Sequence, residues 1–407
     1  MSVSATLNSA DRPLRILFSS RSTLFLGPGG DTIQIIKTAE ELRKLGCNVQ
    51  VSTDADPPLN GVDLLHIFNV TRPQALLLAR KAHRLRIPVA LSPIYVDYRE
   101  VDQIAQGTLQ RLLFRIFPGS TSEYLKVAGR AVLNGEINRG TLVVLRNGFR
   151  RAQRELIELS SILLPNSESE MRRIQSDFPE ARLRDYAVVP NAVDHRLFDP
   201  ERTVPLDNFK DCVLSVGRIE RRKCQLELVR ALRGTGLQLV LLGKPGPNHL
   251  AYFEQVKREA DNNVTFIGHI DHHDLPGYYA ACKVHALVSW METTGLSSLE
   301  AGVMGTNLVI TDKGDTRDYF GDLAHYCSPH SVDSIRQAVL NAHRAPRTEV
   351  LRQRILRHFT WNETARCTLA AYSSLLIEGH STRTNPRSET TETLLGEACP
   401  GPGSLKR

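Results

Sequence analysis

The chain has 407 residues, 41% hydrophobic, 23% charged and 6% aromatic, which is a soluble globular composition with room for two domains or three. A small scaffold, a fibrous repeat and a wholly disordered chain are excluded. Lys and Arg number 51 against 44 Asp and Glu, and the formal charge of +7 admits an acidic partner: nucleic acid, an anionic membrane or a phosphorylated small molecule.

Residues 1–12 are polar, lack the apolar stretch of a signal peptide and predict a flexible N-terminus. Short apolar, β-branched runs then alternate with helical patterns: Leu14–Phe18, Asn48–Val51, Leu64–Phe68, Val89–Leu91, Ile162–Leu164 and Ala187–Val189. That alternation predicts a parallel sheet with helices on both faces, an α/β fold. After a polar stretch near 199–210 the pattern restarts at Cys212–Val216, Leu237–Leu242, Val264–Ile267, Val284–Val288 and Leu308–Ile310. The reading is therefore two doubly wound Rossmann-like domains, 13–200 and 206–355, facing each other across a cleft. An amphipathic helix within 358–377 crosses back to the first domain, and a polar tail over 379–407 is expected to be disordered.

One segment breaks the rhythm. Thr108–Arg154 holds nine basic residues against two acidic ones, a local +7, interleaved with Leu112, Leu113, Phe114, Ile116 and Phe117. Two readings stay open: a surface for anionic lipid or a lipid-linked acceptor, and a pair of solvated helices whose apolar side packs on the first domain. No run of about 18 apolar residues occurs, so the expected location is cytoplasmic, peripheral at the inner face of the membrane where the basic segment binds it. The seven cysteines are scattered, with no Cys-x-x-Cys pair and an odd total, and suggest neither a zinc site nor a disulfide framework.

Three motifs carry chemistry. The first predicted strand runs into Gly27-Pro28-Gly29-Gly30-Asp31, where a glycine turn at a helix start lets backbone N–H groups approach an anion. It is neither the dinucleotide fingerprint nor a P-loop. The second, Gly217-Arg218-Ile219-Glu220-Arg221-Arg222-Lys223, follows a strand and delivers an Arg fork and a Lys point charge suited to a diphosphate. The third, Trp290-Met-Glu292-Thr-Thr294-Gly295-Leu296-Ser-Ser-Leu-Glu300, spaces two carboxylates across a strand-to-helix turn whose free N–H groups at Thr294, Gly295 and Leu296 suit a phosphate. Trp290 is weighed as a stacking partner for a nucleotide base against simple packing, and packing is favoured. His272-His273, between Asp271 and Asp274, reads as a helix start rather than a metal cluster. His66, at the end of a strand, is weighed as a cleft residue against the commoner core histidine.

In this order the motifs resemble the retaining glycosyltransferases of family 4 with the GT-B fold, over residues 14–376. Val189-Pro190-Asn191-Ala192-Val193-Asp194 is similar to that family's interdomain stretch. The resemblance implies metal-independent transfer of a sugar from a nucleoside diphosphate sugar to a glycan, a lipid-linked or another glycoconjugate acceptor, without cofactor and with no nucleic acid. It also implies roles. Arg218 and Lys223 hold the diphosphate, Glu300 the ribose hydroxyls and Glu292 the donor hexose; Thr294, Gly295 and Leu296 offer N–H groups, and Gly29 with Gly30 closes over the diphosphate. The leaving phosphate can take the acceptor's proton, so Arg218, Lys223 and Glu292 make up the catalytic set. Where the family often carries a histidine, this chain offers Tyr95 and Asp97, named with His66 as acceptor-side residues. The loop Lys313-Gly314-Asp315-Thr316-Arg317-Asp318-Tyr319 also departs from the family's glycine-rich pattern. Two alternatives remain: a nucleotide-sugar 2-epimerase of the same fold and a non-catalytic scaffold.

Overall fold

The computed structural model describes residues 12–26, 29–96 and 148–384. Asp97, Gly27 and the basic segment up to residue 147 lie outside them. By their contacts the described residues divide into a first unit of 12–96, 148–190 and 361–384 and a second of 191–360.

The first unit is built on strands β1 (Arg15–Ser19), β2 (Asn48–Ser52), β3 (Leu64–Phe68), β4 (Val89–Ser92) and β5 (Ile162–Leu163). All run parallel in the order β2-β1-β3-β4-β5, with Ile16 opposite both Val49 and Leu64. β3 and β4 are buried along their whole length, as expected where helices cover both faces and no polar face needs to alternate. The helices are α1 (Gly30–Lys44), α2 (Pro73–Arg84), α3 (Phe149–Leu159) and α4 (Glu168–Asp177). The strand expected at Ala187–Val189 does not form a ladder. Ala187 and Val189 donate to the Leu163 and Pro165 carbonyls at 3.0 and 2.8 Å, but Pro165 has no N–H to return, so pairing stops at one bridge between Leu163 and Tyr186.

The second unit contains β6 (Val213–Val216), α5 (Gln225–Leu232), β7 (Leu239–Leu242), α6 (Leu250–Glu259), β8 (Val264–Ile267), α7 (Leu275–Ala281), β9 (Val284–Leu287), α8 (Leu296–Val303), β10 (Asn307–Thr311), α9 (Thr316–Phe320), β11 (His325–Cys327), α10 (Val332–Arg344) and α11 (Glu349–His358). Its six strands are parallel in the order β11-β10-β9-β6-β7-β8. Successive strand residues enter opposite cores: Val213, Leu239, Leu241 and Val309 face α5 and α10, whereas Leu214, Val240, Leu308 and Ile310 face α8 and α11. Burying each such side chain contributes about 1.5–3 kcal/mol, which is why these short strands persist without long ladders.

The chain then returns to the first unit as α12 (Trp361–Thr384). Ala365, Leu369 and Tyr372 of α12 join Ile16, Phe18, Ile35 and Leu42 in one core. Among the described residues no helix is long and apolar enough to cross a membrane.

Both sheets have a point where the strand order reverses, between β1 and β3 in the first unit and between β6 and β9 in the second. In open α/β sheets the loops leaving such neighbouring strands diverge to opposite faces and leave a crevice at the strands' carboxyl ends. The glycine turn follows β1, the Arg218–Lys223 stretch follows β6 and the Glu292–Glu300 stretch follows β9.

Candidate functional site

At the β6–β9 reversal two of the sequence motifs meet. Lys223 closes a 3-10 turn (Arg221–Lys223), and its ammonium pairs directly with the Glu292 carboxylate. Both side chains are largely buried, 14% and 10% exposed, so each needs the other. Burial lowers the Lys223 ammonium below its ordinary value, opposed by the charge of Glu292. For Glu292 burial acts upward, yet the charges of Lys223 and Arg222 outweigh it and hold the carboxyl below its ordinary range. The backbone ties the same loops together, since Trp290 N–H donates to the Arg222 carbonyl at 2.7 Å.

Arg218 leaves the strand end half-exposed, 3.0 Å from the buried Glu220 carboxylate, which also binds Arg222 at 2.8 Å. Glu220 is thus a shared counter-ion for Arg218 and Arg222, and the Arg218 side chain beside it stays 53% exposed. Gly295 caps α8 in the left-handed conformation, φ 72°, where a Cβ would press on Leu287 at 3.0 Å. A helix start leaves its first N–H groups without intrahelical partners, and the first ones to bond back here are Ser298 and Leu299, both to the Gly295 carbonyl. Thr294 is buried and its hydroxyl is committed: it accepts from Asn191 Nδ2 at 3.0 Å and donates to the Tyr319 hydroxyl at 3.3 Å.

Glu300, one turn into α8, is held on both oxygens. His272 Nε2 lies 2.8 Å from Oε1, and the buried Tyr279 hydroxyl donates to Oε2 at 2.9 Å. His272–Asp274 is a 3-10 turn leading into α7, so the doublet does stand at a helix start. Among the described residues no group of three or more His, Cys, Asp or Glu side chains could hold a metal ion.

The first unit's candidates separate. Gly29 is the N-cap of α1 and Gly30 its first residue; beside them Arg21 grips Asp31 at 2.8 and 3.1 Å. Burial acts upward on the Asp31 carboxyl, but the hydrogen bond and charge of Arg21 outweigh it and lower it overall. His66 does not reach a crevice. It is 1% exposed, stacked on Phe68, and both ring nitrogens are satisfied, by the Tyr372 hydroxyl at 2.6 Å and Ser92 Oγ at 2.9 Å. Burial lowers its pKa to about 3, so it is a neutral core histidine. Tyr95 is tied to α4, its N–H donating to Glu170 at 2.6 Å and its hydroxyl to Asp177 at 2.7 Å. Trp290 is buried against His330 with Lys313 over its ring, in agreement with a packing role.

Sequence reasoning missed the supports of the site. Gly314 bridges to Glu292, and the Asp315 N–H donates to the Glu292 carbonyl at 2.9 Å, so the loop after β10 cradles the carboxylate's backbone. The available signal is Gly314 itself, three residues past the end of β10 in the stretch Lys313–Tyr319. Asn191 and Tyr319 lock Thr294; a structural role for Asn191 is the reading its Pro-Asn-Ala stretch suggests, whereas the signal of Tyr319, a lone Tyr in a short helix, is too common to read.

Residues 201–354 match the family described as Glycosyl transferases group 1. A curated relative, D-inositol 3-phosphate glycosyltransferase of Mycobacterium tuberculosis (strain ATCC 25618 / H37Rv), is 27% identical over 270 residues, covering 61% of this chain and 56% of that protein. The chain thus spans about half the length of the curated relatives it matches. Sucrose-phosphate synthase from Thermosynechococcus elongatus superposes with a TM-score of 0.67 at 18% identity, over 90% of this chain and 100% of that one. Anabaena HepE in complex with UDP and glucose gives 0.59 at 16% identity, over 89% and 100%. These likenesses establish the two parallel sheets as the GT-B fold.

Proposed function

We propose that this chain, whose residues 201–354 match the family described as Glycosyl transferases group 1, transfers a sugar from a nucleoside diphosphate sugar to a glycan, lipid-linked or other glycoconjugate acceptor with retention at the anomeric carbon. The observation that carries the reading is the buried Lys223–Glu292 pair standing beside Arg218 and the start of α8 at the β6–β9 reversal. A carboxylate held by one ammonium keeps free lone pairs for sugar hydroxyls, while the ammonium keeps hydrogens for phosphate oxygens. The half-exposed fork of Arg218 and the backbone N–H groups at Thr294, Gly295 and Leu296 supply donors suited to a diphosphate.

As the bond from the anomeric carbon to the phosphate oxygen breaks, negative charge grows on the departing nucleoside diphosphate. Arg218, Lys223 and the α8 N–H groups stabilise that charge more than the ground state, which is the differential binding catalysis requires. The leaving oxygen then takes the proton of the attacking acceptor hydroxyl. Gly29 and Gly30, opening α1, form a second turn fit for an anion.

Solved HepE complexes contain UDP-glucose, so UDP is the first nucleotide to test. Arg218→Ala and Glu300→Ala should each weaken UDP binding about tenfold or more by titration calorimetry, the scale of a lost charge-assisted hydrogen bond. Unchanged affinity for UDP, GDP and ADP in both variants would sink the assignment. Product analysis without acceptor separates the alternatives, because an epimerase turns over a nucleotide sugar alone and a transferase shows at most slow hydrolysis.

The basic stretch 108–154 is the proposed contact with anionic lipid. Replacing Arg111, Arg115 and Arg130 with Glu should reduce co-sedimentation with phosphatidylserine vesicles; an unaltered profile refutes that contact.

A further inference from the structure

The handling of Glu300 goes beyond what diphosphate binding needs. An ionised carboxylate offers about four lone-pair sites on its two oxygens. Here Oε1 lies 2.8 Å from His272 Nε2, and Oε2 accepts from the Tyr279 hydroxyl at 2.9 Å, so the chain occupies one site on each oxygen. Because the carboxylate can only accept, Nε2 carries the hydrogen in this contact. The two donors come from opposite ends of one short segment, the 3-10 turn His272–Asp274 and the helix α7.

That segment is itself braced. Phe198 sets its ring edge-on against both His272 and Tyr279, with centroids 5.1 and 5.8 Å away. Tyr279 is fully buried, whereas the His272 side chain is 41% exposed. A buried phenol must find a partner, and here Glu300 provides it. A half-exposed imidazole has no such need, and its place on the carboxylate is a choice of this sequence.

We infer that His272 and Tyr279 are positioning residues that fix the Glu300 carboxylate in one orientation and so set its selectivity for a vicinal diol. The inference rests on the donor-site reading above. With one lone pair on each oxygen taken by the protein, one on each remains, which matches two adjacent hydroxyls and is in excess for one. A carboxylate free to rotate would bind either nearly as well, since it could optimise a single hydrogen bond at no geometric cost. The pre-set orientation favours the ribose diol over a 2′-deoxyribose, as in other sites whose buried polar groups punish a missing hydroxyl.

The test is calorimetric titration of UDP and 2′-deoxy-UDP, or the GDP or ADP pair if one of those binds the wild type more tightly. Wild type should prefer the ribonucleotide about tenfold or more. His272→Ala and Tyr279→Phe should shrink that ratio to within about threefold, mainly by weakening the ribonucleotide, while His272→Gln, which keeps a donor, restores it. His272 is at the surface, so its variants stay informative if Tyr279→Phe unfolds. An unchanged ratio in His272→Ala, with Glu300→Ala abolishing the preference, overturns this inference and leaves the donor site standing. A Glu300→Ala variant with wild-type affinity and ratio overturns both.

Discussion

Lys223→Ala should cost about 3–5 kcal/mol of folding stability and remove nearly all of the proposed transferase activity. The substitution leaves the Glu292 carboxylate buried without its counter-charge, and breaking one side of a buried pair is far more damaging than removing the pair. The double variant Lys223→Met with Glu292→Leu should therefore recover most of the stability, measured by urea unfolding, and none of the activity. Recovery of activity by the double variant would show that the pair is architecture and not chemistry. Acid reports on the same interaction. The folded pKa of Glu292 lies below its ordinary value of 4.5, so the native state binds fewer protons than the unfolded chain between the two. The stabilisation is complete above pH 4.5 and is lost as pH falls through the depressed folded value. Wild type should thus lose stability more steeply below pH 4.5 than the double variant, which lacks the titrating group.

Gly314→Ala should act almost as severely from a position that bears no functional group. Gly314 has φ 91°, and a Cβ there would fall well inside 3.0 Å of the Glu292 carbonyl oxygen. The left-handed conformation costs a non-glycine residue about 1–2 kcal/mol, and relieving the clash adds roughly 1–3 kcal/mol by pushing on the backbone that carries Glu292. For a unit of this size a melting point about 10 °C lower is expected, with kcat/KM down by about a hundredfold as the carboxylate shifts. Gly305→Ala is the internal control: its φ is 75° but nothing lies within 4 Å of the added Cβ. If the two variants lose equal stability and activity, the clash with Glu292 is not the cause.

Much of the architecture is legible from residue order because most strands here are short apolar runs, and β3, β4, β7 and β9 are buried along their whole length. Leu64–Phe68 and Val264–Ile267 coincide with the observed strands to the residue. The failures have local reasons. Ala187–Val189 has the composition of a strand, but its partner segment contains Pro165, a long-range fact invisible in the run itself. His325–Cys327 is a strand with only three residues and no apolar pattern, recruited because Val309–Thr311 offers it a free edge. The candidate site divides in the same way. Gly217, Arg218, Lys223, Glu292, Gly295 and Glu300 are visible because fixed spacing around a strand end carries the signal. That Lys223 would grip Glu292, or that His272 would close on Glu300, depends on how loops after different strands converge. His66 shows the converse: its place at the end of an apolar strand suits a site and a core equally, and Tyr372, 306 positions away, makes it core.

The path of the chain sets an order of events in synthesis. The first unit's sheet and α1 emerge early, yet α12, which supplies Ala365, Leu369 and Tyr372 to that unit's core, follows only after residues 191–360 have been made. At ordinary translation speeds that is a wait on the order of ten seconds or more. During it Ile35 and Leu42 lack the helix that covers them, and His66 lacks its phenol. The second unit is continuous and can finish while the first is still open. A stop codon before Trp361 would therefore strike hardest at the N-terminal half of the molecule, and a chaperone holding the nascent chain would find its apolar surface on α1 and β1.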